Sequence, residues 1–127
     1  MRFGMKVYMK IYEYKNCSTC KKALLFLDKK GVVYTRIPIV DEPPGAAEIK
    51  KMLGYLKRDG GSIKNLFNTS GEQYRALGIA ARLKAGMSEA EAIDLLAKNG
   101  KLIKRPFVLG PSFGMVGFKE DEWEKLF

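Results

Sequence analysis

Two cysteines stand one helical turn apart in Cys17-Ser18-Thr19-Cys20, and the sequence contains no histidine. Thiol chemistry is what that pair can do. At the start of a helix, unpaired amide N–H groups and the positive end of the dipole stabilise a thiolate, lowering a cysteine pKa from ~8.5 to ~3.5–7.5. Cys17 is therefore the candidate nucleophile. Cys20, a turn deeper on the same face, is the candidate resolving thiol, placed to attack a mixed disulfide or sulfenate on Cys17. The same spacing serves buried structural thiols or half a zinc site, so the redox reading depends on the element that carries the pair. In Lys104-Arg105-Pro106-Phe107, Arg105 offers a planar fork that clamps oxyanions or carboxylates and holds Cys17 as a thiolate if the fold brings the two together. Taken alone, it reads as a solvated arginine at a strand end. Without histidine there is no Ser-His or Cys-His pair and no imidazole base or metal ligand. Two cysteines do not complete a four-ligand zinc shell, so no metal is expected.

The elements that position these residues follow from periodicity. Residues 5–12 alternate Met5, Val7, Met9, Ile11 with Lys6, Tyr8, Lys10, Tyr12, which predicts a strand. From Ser18 the apolar spacing turns helical through Ala23, Leu24, Phe26 and Leu27, with Gly31 as the stop. Residues 32–40 read as a second strand, whose Pro38 belongs at an edge or bulge. Strand, helix, strand predicts a parallel pair joined by a right-handed crossover, with ligands gathering at the strands' carboxyl ends, where Cys17 lies. After the break at Asp41-Glu42-Pro43-Pro44-Gly45, residues 46–99 carry helical signals and no strand. Capping boxes are expected at Ser70-Gly71-Glu72-Gln73 and Ser88-Glu89-Ala90-Glu91, and Asn99-Gly100 ends the last helix of the stretch. Phe107-Val108-Leu109 and Met115-Val116-Gly117-Phe118 predict a hairpin, and residues 120–127 a short final helix.

The length of 127 residues suits one domain, residues 1–127. With 46% hydrophobic and 29% charged residues the chain falls in the globular class, which rules out disordered and fibrous ones. No run of ~18 apolar residues is present, so no membrane partner is expected. Met1-Arg2-Phe3-Gly4-Met5-Lys6 lacks the apolar segment of a secretory leader, which makes a cytoplasmic location the expectation. The formal charge of +9 favours anionic partners. Its doublets, among them Lys21-Lys22 and Lys29-Lys30, are scattered and form no nucleic-acid module, so direct nucleic-acid binding is not expected.

Four ordered motifs resemble the arsenate reductase (ArsC) family, particularly its Spx and YffB-like branches. They are Asn16-Cys17-Ser18-Thr19-Cys20-Lys21-Lys22-Ala23, residues 66–78 beginning Leu66-Phe67-Asn68-Thr69-Ser70-Gly71, Leu102-Ile103-Lys104-Arg105-Pro106-Phe107-Val108, and Gly117-Phe118-Lys119. The likeness spans residues 9–127, leaving residues 1–8 ahead of the family's usual start. It implies an α/β, thioredoxin-like four-stranded mixed sheet, with residues 1–42 and 100–127 as the core and 43–99 as a helical insertion. It also implies a cis peptide before Pro106, a form found in only ~5–6% of X-Pro bonds. By the same resemblance Cys17 is the nucleophile and Arg105 the arginine of an Arg-Pro motif. Asn16, Ser18, Thr19, Lys21, Arg105 and Pro106 are then the substrate-binding residues. The substrate is an oxyanion such as arsenate or a glutathione mixed disulfide. The reductant is glutathione with glutaredoxin, or thioredoxin, and no bound cofactor is required. Two further arginines of the arsenate enzymes fall on Asn68 and Phe118, which carry no charge, so efficient arsenate reduction is not expected. The cysteine at position 20 points instead to the Spx-like regulators, which use a C-x-x-C as a redox switch and contact the RNA polymerase alpha subunit.

Overall fold

The computed structural model describes residues 9–127. Among the described residues strand β1 spans Lys10–Glu13, and the part of the expected strand on residues 5–8 lies outside them. Helix α1 spans Ser18–Lys29 and β2 Thr35–Pro38. Helices α2 (Ala46–Arg58), α3 (Glu72–Ala76), α4 (Ile79–Lys84) and α5 (Glu89–Lys98) follow, with 3-10 turns at Ile63–Leu66 and Gly100–Leu102. Strands β3 (Phe107–Leu109) and β4 (Gly114–Val116) and helix α6 (Glu120–Leu126) close the chain.

The strands form one mixed sheet in the order β2-β1-β3-β4, with β1 and β2 parallel and the other pairs antiparallel. Register explains the alternation read in β1. Ile11 lies opposite Val108 and Tyr12 opposite Phe107. The first pair joins a core with Ala23, Leu24, Leu27 and Trp123 under α1 and α6. The second joins a core with Ile49, Met52, Leu53, Leu66 and Leu96 from the helices between β2 and β3. A strand buried on both faces must present apolar or aromatic residues to each, and the period of two sorts them between the cores.

β2 is shorter than the stretch 32–40 because α1 claims its first residues. The amides of Gly31 and Val32 close on the carbonyls of Asp28 and Leu27 at 3.1 and 3.0 Å, a Schellman stop with Gly31 at φ +69°. Val33, just after this stop, is left 68% exposed. Pro38 ends this edge strand, where its missing N–H costs no ladder bond.

Three further expectations are corrected. No capping box forms at Ser70: the helix begins one residue later, with Gly71 as an N-cap that makes no side-chain bond, and the Ser70 hydroxyl turns to Asn68 Oδ1 at 3.4 Å. At Ser88, Oγ accepts from the Glu91 amide at 3.1 Å, the forward half of the expected box. The hairpin's second strand starts at Gly114 and stops before Gly117, whose φ of +76° breaks the extended run. Finally, residues 46–99 are not free of strand-like pairing, since Phe67 bridges Ile103.

Gly100 is fixed by close approach. A Cβ there would lie 1.9 Å from the Ile39 carbonyl oxygen, so only glycine lets the chain return from α5 against the segment leaving β2.

Candidate active site

β1 ends at Glu13, and the Tyr14 carbonyl accepts the Cys17 N–H at 3.0 Å, closing a turn over residues 14–17. That turn sets Cys17 as the N-cap of α1 in extended conformation, φ −102° and ψ 114°. Its Sγ accepts the Cys20 amide N–H at 3.3 Å, doing with sulfur what a serine or aspartate oxygen does at other helix starts. Cys20 lies one turn deeper and is fully buried, whereas Cys17 is half-exposed. Both cysteines are free thiols.

This geometry pushes the two thiols apart electrostatically. Burial acts to raise the Cys17 pKa, but the Cys20 thiol and amide and the nearby Arg105 guanidinium outweigh it, and the net displacement is downward. Burial pushes Cys20 up, and the sulfur of Cys17 beside it pushes further, to about 12. One sulfur is disposed to be an anion while its neighbour keeps its proton to donate, the division of labour that a nucleophile and a resolving thiol require.

The rest of the site comes from chain far from the cysteines. The Asn68 amide donates to the Leu102 carbonyl at 2.7 Å and the Lys104 amide to the Leu66 carbonyl at 2.8 Å, on either side of the Phe67–Ile103 bridge. This short clasp sets Asn68, Thr69 and Ser70 beside Lys104 and Arg105. Together with Cys17, Thr19, Phe118 and Lys119 they line a cleft of about 420 Å³. Its lining holds three cations and no carboxylate, so the cleft attracts anionic groups. Phe118 forms an apolar wall, braced edge-on by Trp123 at 4.8 Å and Phe26 at 5.6 Å. The Arg105–Pro106 peptide is cis.

The residues singled out from sequence therefore divide. Cys17, Thr19 and Arg105 line the cleft, with Cys20 buried behind Cys17. Asn16, Ser18 and Lys21 are exposed nearby and are not among the lining residues, and Pro106 is buried beneath. Asn68 and Phe118, the positions where the resemblance implies arginines, both face the same cleft as Cys17. Sequence reasoning passed over Tyr14, whose ring lies 4.8 Å from the Arg105 guanidinium. Its only signal was an aromatic three residues before the first cysteine, indistinguishable from strand alternation. Among the described residues no three cysteine or acidic side chains come together to hold a metal ion, and no helix is long and apolar enough to cross a membrane.

Comparison with known proteins gives the family and the fold. YusI of Bacillus subtilis is 40% identical over 114 residues, covering 90% of this chain and 93% of its own. The global transcriptional regulator Spx of Streptococcus mutans is 28% identical over 107 residues, covering 84% of this chain and 74% of its own. A solved structure of an ArsC family related protein from Bacteroides fragilis superposes with a TM-score of 0.84 at 43% identity, covering 97% of this chain and 98% of its own. The mixed sheet with α1 rising from the Cys17 turn is thus a thioredoxin-like fold. The sequence model of the ArsC family matches residues 12–126, nearly everything from β1 to α6, and the chain belongs to that family.

Proposed function

We propose that the protein is a thiol-dependent reductase in which Cys17 is the nucleophile, Cys20 the resolving thiol and Arg105 the group that orients an anionic substrate. The observation that carries this reading is the contrast within one helical turn: a half-exposed Cys17 Sγ receiving the Cys20 N–H at 3.3 Å, and a fully buried Cys20 whose thiol keeps its proton. With a mixed disulfide as substrate, the Cys17 thiolate attacks one sulfur, a new S–S bond forms and the other thiol leaves with a proton. Cys20 then loses its proton and attacks Cys17 Sγ, releasing the second thiol and leaving a Cys17–Cys20 disulfide. An external thiol, glutathione with glutaredoxin or thioredoxin, returns two electrons. With arsenate, Cys17 sulfur bonds to arsenic as water leaves, and attack of Cys20 on Cys17 sends the bonding pair to arsenic, which departs as arsenite.

The mixed disulfide is the better supported substrate, because the cleft offers one arginine, Arg105, and presents Asn68 and Phe118 where an arsenate site needs more. A glutathionyl group brings carboxylates for Lys104, Lys119 and Arg105 and needs no three-arginine cage. Action in the cytoplasm, where thiol reductants keep such a pair reduced, goes with this reading. The test is NADPH consumption coupled through glutathione and glutaredoxin, or through thioredoxin and its reductase, with a glutathione mixed disulfide as substrate. Steady turnover abolished by Cys17→Ser is expected, and absence of turnover with either reductant and either substrate would overturn the proposal.

A second reading is favoured by the 28% identity to Spx together with the C-x-x-C. Here the Cys17–Cys20 disulfide changes affinity for the RNA polymerase alpha subunit rather than completing a catalytic cycle. Capture of polymerase that depends on oxidation, and is lost in both Cys17→Ser and Cys20→Ser, distinguishes it from enzymology.

A further inference from the structure

Arg105 lacks the usual means of holding an arginine still. Among the described residues it takes part in no ion pair, and its Nε is buried with no hydrogen-bond partner. Besides the Cys17 sulfur that it acts on, its guanidinium meets the ring of Tyr14, 4.8 Å from the centroid. The difference is consequential. A carboxylate would fix the fork but cancel its charge, whereas an aromatic face holds a cation through the ring quadrupole and leaves the charge whole for a thiolate or an anionic substrate. Tyr14 grips the other partner as well, since its carbonyl accepts the Cys17 N–H at 3.0 Å. Arg105 also lines a second cavity of about 260 Å³, whose wall includes Tyr14, Asn68, Gln73, Lys101 and the carboxylate-bearing Glu72 but not Cys17. A guanidinium freed from the ring can swing along that wall, away from Cys17 and toward the carboxylate.

We propose that Tyr14 is the positioning residue of this site, its ring face keeping the Arg105 guanidinium turned toward Cys17 rather than toward Glu72. The inference rests on the reading of Cys17 as the nucleophile and extends it to what keeps its cation in place. Because the side chain acts through Arg105, replacing it changes Cys17 reactivity without touching the sulfur or the backbone bond from Tyr14.

The experiment is the pH profile of Cys17 alkylation by iodoacetamide in the full chain, with the modified residue located by mass spectrometry. Tyr14→Phe keeps the ring and is expected to react at close to the wild-type rate. Tyr14→Leu removes it, and the rate at about pH 6 is expected to fall roughly two- to thirtyfold, the span of a cation–π contact from exposed to desolvated, with the profile moving to higher pH. Adding Glu72→Gln to Tyr14→Leu should restore part of the rate. In an Arg105→Met background, Tyr14→Leu should have no further effect. Thermal melts establish that each variant is folded, and Tyr14→Met replaces Tyr14→Leu if leucine unfolds the chain. A low-pH profile unchanged by Tyr14→Leu, or an equal effect of Tyr14→Leu with and without Arg105, would overturn the role of Tyr14 and leave the nucleophile intact. A wild-type Cys17 that titrates like a free thiol would overturn the functional reading itself.

Discussion

Asn68→Arg should move this cleft toward arsenate, and the size of the gain follows from the geometry. Asn68 is half-buried on the cleft wall, and its place there is fixed by its backbone amide, bonded to the Leu102 carbonyl at 2.7 Å, rather than by its side chain. The substitution gives up only a 3.4 Å bond from the Ser70 hydroxyl. Phe118→Arg is the less clean change, because the ring is packed edge-on against Trp123 and Phe26, and each such pair contributes ~0.5–1.5 kcal/mol beyond its buried area. One charge-assisted hydrogen bond to an oxyanion contributes ~1.5–3 kcal/mol, which at ~1.4 kcal/mol per decade is about ten- to a hundredfold in affinity. Lys104 and Lys119 already line the cleft and repel a further cation, so the low end applies. The expected outcome is about a tenfold rise in kcat/KM for arsenate, with no comparable rise for a mixed disulfide. The assay is NADPH oxidation coupled through a thiol reductant, with Asn68→Arg/Cys17→Ser as the blank. An unchanged arsenate kcat/KM in a folded Asn68→Arg variant whose Cys17 is still alkylated would refute the argument that missing cations limit oxyanion binding.

The buried thiol gives a pH-dependent stability of known sign. Cys20 is raised to about 12 in the folded chain, so it contributes stability that is whole below the ordinary thiol range and is lost as pH rises through that range toward 12. Urea melts at rising alkaline pH should therefore show a steeper loss in the wild type than in Cys20→Ala, and parallel losses would count against the assignment. Gly100→Ala forces a Cβ onto the Ile39 carbonyl, and overpacking of this kind costs ~1–3 kcal/mol, read as a lower melting temperature. Full stability in that variant would show that the chain slides there without cost.

What the sequence disclosed and what it hid have distinct physical causes. Cys17, Cys20, Ala23, Leu24 and Leu27 lie within three turns of one helix, so their spacing alone placed the thiol pair at a helix start. Local stops were legible in part: Gly31 ends α1, but its cap consumes the Val32 amide and shortens β2 in a way no propensity of the valines reveals. The Ser70 box failed because two polar side chains, Ser70 and Asn68, satisfied each other instead of the helix. The clasp between 66–68 and 102–104 joins segments more than thirty residues apart in sequence, and nothing in either predicts the other. Tyr14 escaped notice for the same reason, its partner Arg105 arriving from the opposite end of the chain.

That clasp divides labour along the polypeptide. The Cys17 sulfur hangs from the first third of the chain, while much of the rest of the cleft wall, Asn68 to Ser70 and Lys104 to Arg105, is stitched together by backbone bonds that ignore side-chain identity. Exchanging residues at 68–70 for uncharged ones therefore alters which visitors are welcome while leaving the turn and helix that hold the sulfur in place. One engine can serve several trades, with the lock changed and the motor left running.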